Sequence, residues 1–297
     1  MAENTTQEPC TGDCKTCASA NACDDPRNTQ TGLPEKVSMD VRHVILVLSG
    51  KGGVGKSTVA ANLAMSLSNR GYNTGLVDLD IHGPSIPIML GIEDKKLSSL
   101  DGKHIDPVRI TGTLGVVSMA FLLPDRSTPV IWRGPMKMTA IRQFLEDVAW
   151  GSLDYLVVDL PPGTGDEVLS VAQLAPNIAG AVIVTTPQDV AILDSGKAVR
   201  FIEKIGLRVL GVIENMSGMI CPHCGEEIDL FGMGGGKKAA EELGVPYLGR
   251  IPMDPEMRKA GDEGRPFIIR RQGMDESNPT WAHVDEVLNT LLKQIQD

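Results

Sequence analysis

The chain has 297 residues, of which 42% are hydrophobic, 22% charged and 4% aromatic, and its formal net charge is −10. This composition is that of an ordinary soluble globular protein with one large domain or two modest ones. The acidic balance argues against a nucleic-acid or anionic-membrane surface, because both reward net positive charge. No apolar run approaches the roughly 18 residues of a membrane span, and no signal peptide is visible. We therefore expect a cytoplasmic protein with six reduced cysteines and no membrane or nucleic-acid partner.

Residues 1–40 differ from the rest of the chain. They are polar, poor in large apolar side chains, and contain four of the six cysteines, namely Cys10, Cys14, Cys17 and Cys23. Such a segment has no hydrophobic core of its own, so we expect it to be ordered by a metal or to remain mobile. The predicted organisation is a cysteine module and linker over residues 1–40, followed by one domain over residues 41–297.

From His43 onward, short continuous apolar runs alternate with helical stretches. Continuous apolar strands are typical of a parallel sheet that is buried on both faces. The predicted strands are Val44–Leu48, Thr74–Val77, Leu114–Ala120, Tyr155–Val158, Ala179–Thr185, Leu207–Ile213 and Val245–Ile251. The predicted helices are Lys56–Asn69, Lys137–Val148, Val190–Ile205, Gly236–Leu243 and Thr280–Gln296. This alternation predicts an α/β fold with a doubly wound, mostly parallel sheet.

A phosphate-binding loop follows the first predicted strand and opens the first predicted helix. Residues 50–57 match the pattern G-x-x-x-x-G-K-[ST] in the structural context that it requires. Backbone N–H groups of such a loop, together with the helix N-terminus, face phosphate oxygens, while the lysine reaches the β- and γ-phosphates and the serine hydroxyl reaches Mg²⁺. The predicted ATP and Mg²⁺ site comprises Gly50, Lys51, Gly52, Gly53, Val54, Gly55, Lys56, Ser57 and Thr58.

The second lysine of this loop, Lys51, is not needed by an ordinary P-loop. With it the loop resembles the deviant Walker A class, K-G-G-x-G-K-[ST], which includes MinD, ParA and the nitrogenase iron protein. That resemblance implies a nucleotide-sandwich homodimer in which Lys51 reaches the partner's phosphates. It also implies that ATP hydrolysis is tied to closure of the dimer.

Three carboxylates complete the predicted site. Asp159 ends the apolar run Tyr155–Val158, a Walker B pattern that delivers a carboxylate to Mg²⁺. The resemblance implies that Asp80 orients or deprotonates the attacking water, and that Asp78 supports the Mg²⁺ hydration shell. A cap at the end of the strand is the alternative role for Asp78. Lys51, Lys56 and Asp80 are thus the candidate catalytic residues.

The resemblance to this class also supplies the residues expected to bind the base. Asn215 matches the position that reads adenine, since a side-chain amide both donates and accepts hydrogen bonds. Pro252 and Asp254 match the loop that closes over the base. A simple turn residue is the alternative interpretation of Asn215.

Cys221 and Cys224 form a C-P-H-C pair shortly after Asn215. A redox dithiol needs a thioredoxin-like fold, which is not predicted here. A stable metal site needs four ligands, so two pairs meeting on the axis of a homodimer would complete one. Geometry alone leaves zinc and a 4Fe–4S cluster equally possible for such a four-thiolate cage.

Taken together, residues 49–58, 78–85 and 159–166 and the C-x-x-C pair resemble the Mrp/ApbC family of iron–sulfur cluster carriers. The resemblance implies an ATPase that holds a labile 4Fe–4S cluster between the Cys221 and Cys224 pairs of two subunits and transfers it to apoproteins. The four N-terminal cysteines resemble the cluster motif of the eukaryotic cytosolic scaffolds, although their first gap is shorter, and imply a second Fe–S cluster. The alternative hypothesis is a regulatory switch ATPase, like MinD or ParA, whose cysteines bind structural zinc.

Overall fold

The computed structural model describes residues 35–81, 83–123, 134–221, 223–268 and 278–296. Its strands are β1 (Val41–Ser49), β2 (Thr74–Asp78), β3 (Val108–Arg109), β4 (Leu114–Ser118), β5 (Leu153–Asp159), β6 (Ile178–Thr185), β7 (Val209–Ile220), β8 (Glu227–Ile228) and β9 (Tyr247–Met253). Its helices are α1 (Lys56–Asn69), α2 (Ile86–Met89), α3 (Gly134–Glu146), α4 (Asp166–Leu174), α5 (Asp189–Lys204), α6 (Gly235–Leu243), α7 (Pro255–Asp262) and α8 (Pro279–Gln296). The N-terminal cysteines lie outside the described residues.

The strands form one sheet in the order β3-β4-β2-β5-β1-β6-β7-β8, and β9 pairs with β7. Every pair among the longer strands is parallel, whereas the two-residue strands β3 and β8 are antiparallel additions. The predicted doubly wound, mostly parallel α/β fold is therefore confirmed. In this arrangement the carboxyl ends of the parallel strands lie along one edge, where such sheets bind ligands.

The central strand β1 is buried on both faces, as its uninterrupted apolar sequence predicts. Val44, Leu46 and Leu48 pack into one hydrophobic cluster. Ile45 and Val47 point to the opposite face and pack into a second cluster, which includes α1 and α8. Because successive side chains of a strand alternate between the faces, only a run without polar residues fills both layers. No helix among the described residues is long and apolar enough to cross a membrane.

Several predicted boundaries were wrong. The strand predicted over Leu114–Ala120 ends at Ser118, where a 3-10 helix takes over, and the strand predicted from Leu207 starts at Val209. The strand predicted over Val245–Ile251 is Tyr247–Met253. Helix α3 covers Gly134–Glu146 instead of Lys137–Val148. The elements that the sequence did not predict are α2, α4, α7, β3 and β8.

Candidate nucleotide and cysteine sites

The phosphate-binding loop connects the end of β1 at Ser49 with the start of α1 at Lys56. Gly53 and Gly55 adopt left-handed backbone conformations, with φ of 81° and 79°, which glycine tolerates without strain. At Gly55 a side chain is excluded for a second reason, because a Cβ would lie 2.2 Å from the Asn215 amide nitrogen. The loop therefore has the curled backbone that a P-loop needs, and it is held closely against β7.

A buried ion pair joins the P-loop to β5. The Lys56 Nζ lies 2.6 Å from the Asp159 Oδ1 and 3.2 Å from the Ser57 Oγ. The Lys56 and Asp159 side chains are 6% and 0% exposed. The Asp159 Oδ2 is buried and has no hydrogen-bond partner among the described residues. The ammonium thus contacts the same two oxygen-bearing side chains that are predicted to face Mg²⁺.

Asp78 lies beside Asp159, because the two residues are register partners at the ends of β2 and β5. Asp78 is fully buried and accepts hydrogen bonds from the Ser118 hydroxyl at 2.9 Å and the Asp80 N–H at 3.1 Å. Burial, and then the nearby Asp159 charge, raise the pKa of Asp78 from 3.8 to about 8. Burial also raises the pKa of Asp159, although Lys56 opposes that shift. Two carboxyl groups in one dry site indicate a place for positive charge.

Asp80 lies just after β2, at the same edge of the sheet. It is half-buried, and its Oδ1 accepts a hydrogen bond from the Gly83 N–H at 3.2 Å. The segment after β5 also lies along this edge, since the Leu160 and Gly163 N–H groups donate to carbonyls of Val47 and Ser49. The carboxyl ends of β1, β2 and β5 therefore bring together Lys56, Asp78, Asp80 and Asp159, as the motifs predicted.

A cavity of about 550 Å³ opens beside the P-loop. Its wall includes the predicted base-binding residues Asn215, Pro252 and Asp254 together with Gly55 and Thr58. The Asn215 Nδ2 donates to the Val54 carbonyl at 2.9 Å. Asp254 also caps α7, since its carboxylate accepts the Glu256 N–H at 2.7 Å. Asn215 lies within β7 and not after it, so the alternative of a simple turn residue is wrong.

Sequence reasoning missed much of the cavity wall. Six methionines line it, namely Met65, Met89, Met216, Met219, Met253 and Met257, and Phe267 adds an aromatic ring. Two of them, Met89 and Met257, lie on α2 and α7, which the sequence did not predict. The composition carried a signal for this wall, since the chain has 13 methionines but only 5 Phe, 3 Tyr and 3 Trp residues. Methionine adapts its shape to flat apolar surfaces, so such a wall suits a planar ring.

The cysteine pair lies in the hairpin between β7 and β8. The hairpin is closed by hydrogen bonds from the Cys221 N–H to the Glu226 carbonyl at 2.8 Å and from the Gly225 N–H to the Cys221 carbonyl at 2.9 Å. Cys224 is exposed and Cys221 half-buried. The pKa of Cys221 is lowered, first because the Cys224 N–H donates to its sulfur and then because the His223 N–H does. Within the described ranges, no group of three or more His, Cys, Asp and Glu side chains gathers around a point.

Lys51 is half-buried in the P-loop, and its carbonyl accepts a hydrogen bond from the Ser49 hydroxyl at 2.9 Å.

The curled glycine loop, the buried Lys56 and the strand-end carboxylates define a P-loop NTPase. The described fold agrees, since MinD from Aquifex aeolicus superposes with a TM-score of 0.58 at 22% identity, over 84% of this chain and 97% of that one. The chain belongs to the ParA-type family described as NUBPL iron-transfer P-loop NTPases, which it matches over residues 40–291.

Curated relatives sharpen the comparison. The iron–sulfur cluster carrier protein of Methanocaldococcus jannaschii is 49% identical over 88% of this chain and 90% of its own length. The cytosolic Fe–S cluster assembly factor CFD1 of Candida glabrata is 52% identical over 76% of this chain and 81% of its own. A nucleotide-binding protein from Archaeoglobus fulgidus, solved with ADP, is 37% identical with a TM-score of 0.67, over 82% of this chain and 91% of that one. The resemblance stated from the motifs is therefore confirmed.

Proposed function

We propose that this chain is a homodimeric ATPase that carries a 4Fe–4S cluster on Cys221 and Cys224 of two subunits and transfers it to apoproteins. The observation that carries the proposal is the cysteine hairpin, with two thiols on one turn and a lowered pKa at Cys221. Two thiolates are half of the four that a 4Fe–4S cluster takes. A second subunit related by a two-fold axis would supply the other half.

The names of the relatives support iron–sulfur cargo over structural zinc. Relatives that are about half identical to this chain are called an iron–sulfur cluster carrier protein and a cytosolic Fe–S cluster assembly factor. A labile cargo also suits ligands at the tip of a hairpin, where Cys224 is exposed and Cys221 half-buried. The N-terminal cysteines Cys10, Cys14, Cys17 and Cys23 would hold a second Fe–S cluster, and the cellular location would be the cytoplasm.

The P-loop and strand ends would bind and hydrolyse ATP. The loop N–H groups would hold the phosphates, and the cavity beside Asn215, Pro252 and Asp254 would take the adenine. Lys56 would leave Asp159 and turn to the β- and γ-phosphates, which frees the oxygens of Ser57 and Asp159 to face Mg²⁺. The residues fit this ion, since the Asp159 Oδ2 is buried without a partner among the described residues.

Bound Mg²⁺ would neutralise phosphate charge during hydrolysis. Asp80, half-buried at the end of β2, would orient the attacking water or accept its proton. Lys51 would reach the phosphates of the partner subunit. Because phosphoryl transfer depends almost entirely on positioning and charge, these few groups suffice for slow hydrolysis.

The test measures iron and acid-labile sulfide per chain after anaerobic reconstitution. The variants are Cys221→Ala with Cys224→Ala, a quadruple N-terminal variant with Cys10, Cys14, Cys17 and Cys23 changed to Ala, and Lys56→Ala. We expect the first to lose about four irons per dimer, the second to keep those four, and the third to load iron without hydrolysing ATP. Stoichiometric zinc and no iron at Cys221 and Cys224 would support the regulatory switch ATPase instead.

A further inference from the structure

The cysteine hairpin is attached to the sheet by an irregular stretch of β7. The register of β7 against β9 shifts between Asn215 and Met219. Within that stretch Met216 has φ of 58°, a left-handed conformation that is uncommon for a residue other than glycine. Gly218 is left-handed as well, with φ of 68°. A strained connection of this kind persists only where its surroundings hold it in place.

A fully buried carboxylate, Glu214, supplies that hold. Its Oε1 accepts the Gly234 N–H at 2.8 Å, and its Oε2 accepts the Gly236 N–H at 2.5 Å. The Ser217 hydroxyl donates to Oε1 as well. These bonds join the strand to the glycine-rich loop that follows the hairpin and to the N-terminus of α6. The packing is close, since a Cβ on Gly236 would lie 2.9 Å from the Glu214 Cβ.

The next residue along the strand faces the nucleotide side. Asn215 donates to the Val54 carbonyl of the P-loop and lines the cavity. Successive residues of a strand point to opposite faces, so Glu214 and Asn215 hold two different loops from one position. A shift of the backbone at this position would therefore move the P-loop contact and the hairpin contact together.

A second, weaker connection between the cavity and the hairpin passes through β9. Arg250, the register partner of Glu214, forms an ion pair with Glu227 of β8 and contacts the Met233 sulfur at 3.5 Å. Pro252 and Asp254 of the cavity lie a few residues further along the chain. Both side chains of the ion pair are about one-third exposed, so this bridge contributes less than the buried carboxylate does.

From this geometry we infer that Glu214 is a positioning residue that makes the conformation of the Cys221–Cys224 hairpin depend on nucleotide binding. The inference rests on the proposed nucleotide site, and it extends that proposal by naming the group that connects the two sites. A nucleotide that displaces the Asn215 amide from the Val54 carbonyl would shift the β7 backbone at Glu214. The hairpin would then follow through Ser217 and the glycine-rich loop. Removing the Glu214 carboxylate should leave the nucleotide site and the cysteine hairpin intact but make the hairpin insensitive to nucleotide binding.

The test follows the thiols of the reduced full-length chain without iron. The alkylation rates of Cys221 and Cys224 are measured by peptide mass spectrometry without nucleotide, with Mg-ADP and with a non-hydrolysable Mg-ATP analogue. In the wild type we expect the nucleotide to change the rates by about 5-fold or more, the lower range for coupled sites. In Glu214→Gln the nucleotide should change them by less than about 2-fold, while the nucleotide Kd stays within about 3-fold of the wild type.

Glutamine matches the shape of glutamate but replaces one acceptor oxygen with an N–H donor, which opposes the donors of the loop. Ser217→Ala removes one donor only and should give an intermediate response, so it serves if Glu214→Gln folds poorly. The matched control is Asp154→Asn, at the opposite end of β5, where the carboxylate bonds to Arg42 and the Asn73 N–H. It should keep the full nucleotide response.

Two outcomes would overturn the inference. One is a nucleotide response in both Glu214→Gln and Ser217→Ala as large as that of the wild type, and the other is no response in a wild type that binds nucleotide. A wild type that binds no nucleotide in a direct titration would refute the nucleotide site as well. Absence of iron after reconstitution, with the alkylation response intact, would refute cluster carriage and leave the role of Glu214 standing.

Discussion

Replacing Asp78 with asparagine should stabilise the nucleotide-free protein. The Asp78 carboxyl is fully buried, and burial and the nearby Asp159 raise its pKa to about 8. Between its ordinary pKa of 3.8 and about 8, the folded state therefore binds a proton that the unfolded state has released. By linkage, the stability that this group contributes is full below pH 3.8 and is lost as the pH rises through that window.

The size of the effect follows from the same numbers. Keeping Asp78 protonated at pH 7 costs about 4 kcal/mol, because pH 7 lies about three units above the ordinary pKa and each unit corresponds to about 1.36 kcal/mol. An asparagine has no such cost, but its single carbonyl oxygen keeps only one of the two bonds, because the Asp80 N–H donates to Oδ1 of Asp78 and the Ser118 hydroxyl to Oδ2. Its amide N–H groups need new partners, which takes back part of the gain. We expect a net stabilisation of about 2 kcal/mol at pH 7.

The assay is urea unfolding of wild type and Asp78→Asn from pH 5 to pH 8.5, without nucleotide. The free-energy advantage of Asp78→Asn should grow with pH, fall to zero at about pH 5 and reverse toward pH 4, where the proton cost vanishes and the cost of the amide N–H groups remains. Affinity for Mg-ADP should fall, since the neutral amide cannot support bound Mg²⁺. Asp154→Asn, a half-exposed carboxylate paired with Arg42, should show no such growth. A variant that is less stable than the wild type at pH 8, or a difference that is constant with pH, would refute the reasoning.

Three further predictions concern other contacts of the site. Lys56→Met should lower the unfolding free energy by about 3–5 kcal/mol, because it leaves the buried Asp159 charge unpaired. Adding Asp159→Asn should restore much of this stability but not nucleotide binding. A double variant that is no more stable in urea than the single one would contradict the ion-pair argument. Gly55→Ala should cost about 2 kcal/mol of stability from its positive φ alone and should displace Asn215. The control Gly52→Ala should unfold like the wild type, because a Cβ there would meet only Pro162 at 3.9 Å. Equal melting temperatures for the two variants would contradict the argument from the Gly55 conformation. Lys137→Met should cost about 1–3 kcal/mol, because the buried Glu167 beside the segment after β5 loses its partner at 2.6 Å. Lys197→Met removes an ion pair in which the lysine is 77% exposed, so it should change stability by less than about 1 kcal/mol. Similar urea midpoints in the two variants would argue against a structural role for Lys137.

The sequence predicted the phosphate side of the site well because local rules decide it. Helix α1 covers Lys56–Asn69, as the pattern predicted, since its start is set by the glycine loop and its end by the polar residues before Gly71. The strand-end carboxylates Asp78 and Asp159 lie together because parallel strands present their carboxyl ends at one edge. Their proposed roles at Mg²⁺ stay predictions, because geometry alone assigns none.

Two missed helices did carry local signals. Helix α7 begins with Asp254 as its N-cap and Pro255 in its first turn, a combination that marks a helix start. Its stretch was interpreted as a loop that covers the base. Helix α4 begins at Asp166, immediately after a proline- and glycine-rich segment, and buries Val168, Val171 and Leu174 at helical spacing. In both cases the first residue of the helix signal is also the last residue of a nucleotide-site motif.

The course of β7 could not be predicted, because it depends on contacts with residues that are distant in the sequence. The strand continues through Asn215 and a left-handed Met216 to Ile220, although asparagine, serine and glycine in this stretch predict a turn. Pairing with β9 and β8, and the bonds to Glu214, keep the stretch extended. The glycine-rich loop that binds Glu214 begins 20 residues further along the chain at Gly234, and the β9 partners lie further still, so a local pattern cannot show them. The cavity wall was missed for the same reason.

A cargo held by two subunits ties its own stability to their association. Each hairpin offers two thiols, so in the proposed dimer neither subunit alone would complete the four ligands of a cluster. Any ligand that strengthens the dimer must then tighten the cluster, and by reciprocity the cluster must strengthen the dimer to the same extent. In the proposed dimer, a nucleotide at one part of the subunit interface and a cluster at another part would therefore act on the same association equilibrium. Within that dimer, ATP hydrolysis that weakens this shared association would lower the affinity for the cluster, and thiolates of the recipient apoprotein would replace the cysteine thiolates on iron as the cluster leaves.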